Sequence, residues 1–285
     1  MNKLKDYADL TRFNRPIGSL LLLWPTLWAL WLAADGWPQW HLIVIFVLGV
    51  FSMRSAGCVI NDYADRKVDG HVERTKNRPL PSGRVSEKEA LGLFAFLVAL
   101  SFLLVLCTDL RTILLSFVGL GLAALYPFMK RYTHLPQLFL GLAFSWAIPM
   151  AYSAQGGDLL DPKLWMLFVA NCFWTIAYDT YYAMTDRPDD LKVGIKSTAI
   201  LFGKYDLLVI LCLQGLTLSL LVWIGILAHL NWIYFVSLII SLGLFGLQYQ
   251  KAKERDRQAC FHAFLDNNRI GYCIFIGIAA SLLFM

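Results

Sequence analysis

The sequence predicts an all-α, polytopic membrane protein with about nine membrane-crossing helices. Three observations carry that prediction: the composition, the length of the apolar stretches, and the places where the charges fall. Of 285 residues, 58% are Ala, Val, Ile, Leu, Met, Phe, Trp, Tyr or Cys and only 16% are charged, against roughly 25% charged in an average soluble domain. One soluble core cannot absorb so much apolar surface, so the surplus is expected to face lipid. The stretches are continuously apolar rather than alternating, which argues for helices and against a membrane β-barrel. The net charge of +5 sits in short segments between these runs instead of forming a basic stripe, so no nucleic acid is expected as a partner.

About 20 mostly apolar residues cross the hydrocarbon layer as a helix. The first such run covers 16–34; Trp24, Pro25 and Trp28 interrupt it and many similar runs follow, so it reads as a span and not as a cleaved leader. The second covers 40–61. The third and fourth, 89–107 and 110–128, are separated only by a tight turn near Thr108 to Leu110. The remaining runs are 135–154, 163–185, 205–228, 232–250 and 268–285. Trp24, Trp28, Trp31, Trp37 and Trp40 cluster about the first turn between spans, as interfacial aromatics do, with helix packing the alternative for some. Gly18, Gly49, Gly57, Gly119, Gly121 and Gly141 permit close helix approach. The six cysteines are far apart, with no CxxC spacing, and read as small buried hydrophobes rather than disulfides or a zinc site.

Segments 1–15, 66–88, 129–134, 187–204 and 251–269 hold 22 of the 25 basic residues. The connections on the other side contribute only Arg111 and Lys163, and Arg54 lies within the second span. The positive-inside rule makes the crowded side cytoplasmic, with the N-terminus inside and, after nine spans, the C-terminus outside.

Two of these cytoplasmic ends are acidic. The second span runs into Asn61-Asp62-Tyr63-Ala64-Asp65-Arg66-Lys67-Val68-Asp69, and a continuing helix would set Asn61, Asp65 and Asp69 on one face, with Asp62 close by. The sixth ends in Asp179 and then Asp186-Arg187-Pro188-Asp189-Asp190. Pro188 disfavours helix at Arg187, so this cluster is expected to be part helix and part loop unless the proline is tolerated. Seven of the 20 acidic residues thus gather at two transitions from apolar to polar sequence. Solvated end charges would explain one such cluster; two on one side suit a hard cation such as Mg²⁺, which takes oxygen ligands from a few carboxylates and from substrate phosphates. No Walker or dinucleotide glycine motif is present.

Basic donors follow both clusters: Arg74, Lys76 and Arg78 after the first, Lys192 and Lys196 after the second. A positive-inside loop accounts for their charge; their recurrence behind metal-type clusters points to a diphosphate. Arg54, one face up from Asn61 and expensive within a span unless paired, is a candidate for holding an anionic acceptor or a carboxylate, as is Arg131 or its neighbour Lys130 at the end of the fourth span. Asn61 and Tyr126 are further candidates for the acceptor cradle. A transporter for an anionic metabolite is the competing class, but it would place its ion site at mid-membrane between half-bundles.

The aspartate pattern closely resembles the two motifs of the UbiA superfamily of intramembrane prenyltransferases. The resemblance extends through Arg74-Thr-Lys-Asn-Arg78-Pro-Leu-Pro-Ser-Gly83, Tyr126-Pro-Phe-Met-Lys-Arg-Tyr-Thr-His-Leu-Pro136 and Gly194-Ile-Lys-Ser-Thr198, and covers essentially the whole chain. It implies one domain, 1–285, of nine helices around a central cavity capped by cytoplasmic loops 66–88 and 187–204, in a bacterial inner membrane. It implies Mg²⁺ held by Asn61, Asp65 and Asp69 on one side and Asp186 and Asp190 on the other, with Asp62 and Asp189 as direct or outer participants; Asp65, Asp69, Asp186 and Asp190 would be the catalytic carboxylates. It also implies polyprenyl diphosphate and 4-hydroxybenzoate as substrates in ubiquinone biosynthesis, membrane lipid as the surroundings, and no obligate protein partner.

Overall fold

The computed structural model describes residues 3–66, 69–71 and 75–284. Among them the secondary structure is helical: α1 (Lys3–Leu10), α2 (Ile17–Ala34), α3 (Trp40–Asp65), α4 (Glu87–Val105), α5 (Leu110–Met129), α6 (Pro136–Ser145), α7 (Ala147–Ala154), α8 (Pro162–Val193), α9 (Thr198–Phe202), α10 (Asp206–Leu227), α11 (Trp232–Ala252) and α12 (Arg257–Leu283), with 3₁₀ turns at Asp69–His71 and Gly203–Tyr205. All nine expected spans fall on these helices. Among the described residues, six helices are individually long and apolar enough to cross a membrane: α2, α3, α4, α5, the stretch from α9 through α10, and α11. The other three expected spans are the α6–α7 pair, divided at Trp146, and α8 and α12, whose inward faces carry polar side chains.

Local chemistry sets many of the boundaries. Ser86 and Glu89 form a reciprocal capping box that starts α4. The Asp109 side chain accepts from Arg111 and Thr112 N–H groups to start α5, and Asp161 followed by Pro162 starts α8. Helix α12 begins eleven residues before the expected 268. Its polar early turns are tolerated because indoles satisfy them: Trp174 Nε1 donates to Asn267 at 2.9 Å and Trp24 Nε1 to Asn268 at 2.8 Å. Helix α1 was not expected; it lies against the end of α3 and the start of α4 through Leu10, Val59, Val85 and Ala90.

Helix α2 is the most enclosed span, packed on α3, α7 and α12, whereas α4 lies mainly on α3 and barely touches α5. Trp28 is fully buried, stacks on Trp174 of α8 at 5.3 Å and donates to the Gly271 carbonyl at 3.1 Å. The tryptophan cluster therefore divides: Trp28 and Trp31 are core, while Trp37 and Trp40 are exposed as interface residues would be. The glycines divide too. A Cβ on Gly141 would meet the Cys172 carbonyl at 3.2 Å, so that residue sets the α6–α8 approach, whereas Gly49 and Gly57 meet nothing and instead line an internal cavity.

Candidate active site

Two cavities meet inside the bundle. One, of about 590 Å³, lies among α3, α4, α5, α6 and α7, and its walls are Phe46, Val98, Phe102, Leu120, Phe144 and similar apolar groups. The other, of about 150 Å³, lies at the end where α3, α5 and α8 finish, and Asn61, Asp65, Asp69, Asp179, Asp186 and Asp190 all line it. Tyr126 lines both, and Arg54 lines the apolar cavity. Both acidic clusters, 120 residues apart in the chain, thus face a single chamber.

They reach it by different backbone paths. Helix α3 stops at Asp65, so Asn61 and Asp65 share a helical face, but Asp69 does not continue it. The 3₁₀ turn returns Asp69 to the chamber, where Arg78 Nη1 donates to its Oδ2 at 2.9 Å and the Thr75 hydroxyl donates to its carbonyl at 2.8 Å. Burial raises the Asp69 carboxyl above its ordinary range, against the pull of Arg78. Helix α8, by contrast, continues through Pro188 to Val193 and ends on Gly194 in the left-handed conformation, φ 73°. The expected break at Arg187 is absent, and Asp179, Asp186 and Asp190 lie along one helical face. The proline is tolerated because the turn it weakens is tied from outside: Arg257 Nε donates to the Thr185 carbonyl at 2.9 Å and its Nη2 to Asp189 at 2.6 Å.

Several candidates from the sequence are turned away. Asp62, 1% exposed, is held between Arg12, whose Nη2 donates to both carboxylate oxygens at 2.9 Å, and Arg78 Nη1 at 3.0 Å. Its helical phase differs from that of Asn61 and Asp65, and it does not line the chamber. Asp189 likewise faces Arg257 and Lys192 rather than the chamber, and the Arg257 hydrogen bond holds its carboxyl below the usual range. Arg131 is exposed and donates to the Ala64 carbonyl at the end of α3; the cation of that pair that faces in is Lys130, which donates to Asp65. Arg78 and Lys196 line the chamber, whereas Lys76 and Lys192 do not. Arg74 lies outside the described residues.

The structure adds residues that the sequence did not single out. Gln137, Tyr182, Thr75 and Ser197 line the chamber beside Lys130, and Gln137 Oε1 accepts from the Thr198 N–H at 3.0 Å, fastening the loop after α8 to α6. Asp179 shares the chamber wall with Gln137 and Asp186. Arg54 lies with its guanidinium carbon 5.6 Å from the centre of the Phe144 ring, and among the described residues its buried Nε has no hydrogen-bond partner. Gly18 leaves the space that the guanidinium fills: a Cβ there would come within 2.9 Å of Arg54 Nη2.

The chamber's donor set suits a hard divalent cation, since its aspartates and Asn61 offer only oxygen. Among the described residues no group of three His, Cys, Asp or Glu converges closely enough to hold a metal by itself. Arg78, Lys130 and Lys196 add positive charge at the same place.

The sequence of this chain matches the UbiA prenyltransferase family over residues 22–276. It is 86% identical over 281 residues to the 4-hydroxybenzoate octaprenyltransferase of a Marinomonas species, with 99% of each chain covered. It is 62% identical to that of Aliivibrio fischeri, again with 99% of each covered. Its fold resembles the solved structure of a UbiA homologue from Aeropyrum pernix, with TM-score 0.81 and 25% identity over 93% of this chain and 98% of that one. It also resembles a UbiA homologue from Archaeoglobus fulgidus bound to GPP and Mg²⁺, with TM-score 0.76 and 20% identity over 98% of this chain and 100% of that one.

Proposed function

We infer, because the chain belongs to the UbiA prenyltransferase family, that it transfers an octaprenyl group from octaprenyl diphosphate to 4-hydroxybenzoate and releases diphosphate, the prenylation step of ubiquinone biosynthesis. The acceptor and the tail length follow the relatives' names. The observation that carries the chemistry is the junction of an apolar cavity with a chamber of carboxylates and cations. The allylic C–O bond of the donor breaks, a bond forms to the ring carbon ortho to the hydroxyl, and that carbon loses its proton. No enzyme nucleophile is needed.

Asn61, Asp65 and Asp69 from one side and Asp186 and Asp190 from the other are the residues we assign to Mg²⁺. When bound, the ion neutralises charge growing on the diphosphate as the C–O bond lengthens. Arg78, Lys130 and Lys196 hold diphosphate oxygens from the chamber wall; Arg74, in the same loop as Arg78, remains a candidate. Asp62 and Asp189 support the motifs from outside the chamber. Arg54 takes the acceptor carboxylate, which places the ring beside Tyr126 at the junction, and Asp179 receives the ring proton. The tail lies along the apolar cavity and continues into lipid, since transferring so many methylenes to water would cost about 0.8 kcal/mol each. The crowded basic loops put this end of the bundle in the cytoplasm, with the C-terminus on the periplasmic side of the inner membrane.

The test is prenyl transfer by purified protein given octaprenyl diphosphate, 4-hydroxybenzoate and Mg²⁺, with the product identified by mass. Absence of the adduct, or undiminished turnover in excess chelator, rejects the reading. Cysteine accessibility at the 187–204 loop and at residue 284 tests the orientation.

A further inference from the structure

Behind the chamber wall formed by α8, three charged residues meet where no substrate reaches. Asp206, fully buried at the start of α10, accepts from Arg187 of α8 and from Arg255 of the turn between α11 and α12, at 2.8 Å from Nη2 and 3.1 Å from Nε. Arg255 adopts a left-handed backbone, φ 56°, and its Nη2 also donates to the Lys204 carbonyl at 2.9 Å. Asp206 Oδ1 further accepts from the Leu207 N–H at 2.7 Å. None of these residues lines either cavity.

We propose that the Arg187–Asp206–Arg255 cluster is a positioning device that sets the rotation of the end of α8 and so aims Asp186 and Asp190 into the chamber. The inference rests on the reading of those two aspartates as metal-facing. Three observations support it. Arg187 is the chain neighbour of Asp186, about 100° round the helix from it, and its guanidinium is bonded to Asp206 outside the chamber, so fixing its side chain limits how far the turn that carries Asp186 and Asp190 can rotate. Pro188 removes the backbone hydrogen bond that would otherwise stiffen this turn, leaving its direction to outside contacts. A rotation of about 20° would carry a carboxylate lying about 6 Å from the helix axis by about 2 Å, ten times the roughly 0.2 Å tolerance of a metal–ligand distance.

The energetics favour aim over simple cohesion. Burying a carboxylate with two guanidiniums recovers little more than its desolvation cost, and well-packed apolar residues often hold a fold as firmly. A charged cluster supplies direction, because forked donors fix the angle at which α8 meets α10 and α12.

The experiment uses the full-length protein in detergent, with Mn²⁺ as probe ion and inorganic diphosphate present, and reads Mn²⁺ affinity by electron paramagnetic resonance. Asp206→Asn is expected to raise the Mn²⁺ dissociation constant by about 10-fold or more, the range seen when partners behind a metal site are removed. Asp206→Glu, which keeps the charge, recovers most of that loss. Tyr234→Phe serves as comparison: it removes a buried hydrogen bond to the Leu221 carbonyl, 2.8 Å long, elsewhere on α10 and α11, and is expected to lower thermal stability while leaving Mn²⁺ affinity unchanged. Should Asp206→Asn fail to fold, Arg255→Gln, which leaves Asp206 paired with Arg187, is expected to shift the constant in the same direction by less. Wild-type Mn²⁺ affinity in a folded Asp206→Asn or Arg255→Gln protein overturns the inference, as does an equal shift in Tyr234→Phe. If the wild-type protein itself binds no Mn²⁺, the metal reading falls, and this inference falls with it.

Discussion

The two acidic motifs solve one problem by opposite means. At the end of α3 the helix gives out at Asp65, and Asp69 is brought back by a 3₁₀ turn and by Arg78; the motif is held by a strap of chain that folds over it. At the end of α8 the helix runs through its proline, and the aspartates keep helical spacing because residues on the far side are anchored to α10 and α12. Each motif also spends an aspartate on its own support, Asp62 between Arg12 and Arg78 and Asp189 against Arg257. Acidic residues adjacent in sequence therefore divide into those that face the chamber and those that hold the first group in place. The helical phase, more than the residue type, decides which is which.

The largest expected effects test whether both halves are needed. Asp65→Asn and Asp186→Asn each keep size and lose a charge, and each is expected to lower kcat by at least about 10²-fold, since even groups behind a metal site are worth 10- to 100-fold. Steady-state rates over a Mg²⁺ titration check this. If either variant keeps near-wild-type turnover, that half of the chamber does not hold the metal. Asp179→Asn separates the ends of α8: kcat is expected to fall about 10²-fold, the lower range for loss of a positioned proton acceptor, while the Mg²⁺ concentration for half activation stays constant. A shift in that concentration would make Asp179 part of the metal set.

Arg54→Met compares the two cations at the ends of the acceptor question. Losing a charged, forked donor of about 1.5–3 kcal/mol is expected to raise the KM for 4-hydroxybenzoate by roughly 10- to 100-fold while leaving that for the prenyl donor almost unchanged. Arg131→Met, whose guanidinium is spent on the Ala64 carbonyl, should leave acceptor KM alone. The reverse pattern, with acceptor KM rising only in Arg131→Met, would return the clamp to the surface.

Much of this architecture was legible. Continuous apolar runs located the helices that make up the bundle, and the spacing of Asn61 with Asp65 and of Asp186 with Asp190 anticipated that each pair faces one chamber. What failed depends on partners distant in sequence. Nothing near Asp62 announces that Arg12, fifty residues earlier, will enclose it, and an eight-residue helix such as α1 is too short to show a convincing apolar period. Lys130 and Arg131 are adjacent cations, so the one that faces in depends on where α5 ends, a boundary that sequence locates only to a few residues. Pro188 looked like a stop because it disfavours helix at Arg187; Arg187, Thr185 and Asp189 keep the helix going through contacts with Asp206 of α10 and with Arg257 of α12. Asp206 resembles an ordinary first-turn acid.

The smallest effects concern the arm that only the first motif possesses. Arg12 reaches Asp62 from a left-handed backbone position, φ 57°, and α1 is fastened by Lys3 Nζ donating to Glu89 at 2.8 Å and to the Arg84 carbonyl at 3.1 Å. Arg12→Met leaves Asp62 with Arg78 as a partner, so stability should fall by about 1–3 kcal/mol and the metal dependence should change less than in Asp65→Asn. Lys3→Met should act still more weakly, because the lysine is half exposed and its pair is screened by salt. The Glu89 hydrogen bond raises the Lys3 ammonium above its ordinary 10.5, so its contribution is present in full below that pH and is lost as the pH rises through the folded-state value. Thermal melts of wild type and Lys3→Met should therefore differ slightly at neutral pH in low salt, and converge both in high salt and in strongly alkaline buffer. A gap that persists at alkaline pH would mean that the apolar stem of the lysine, and not its charge, fastens the arm.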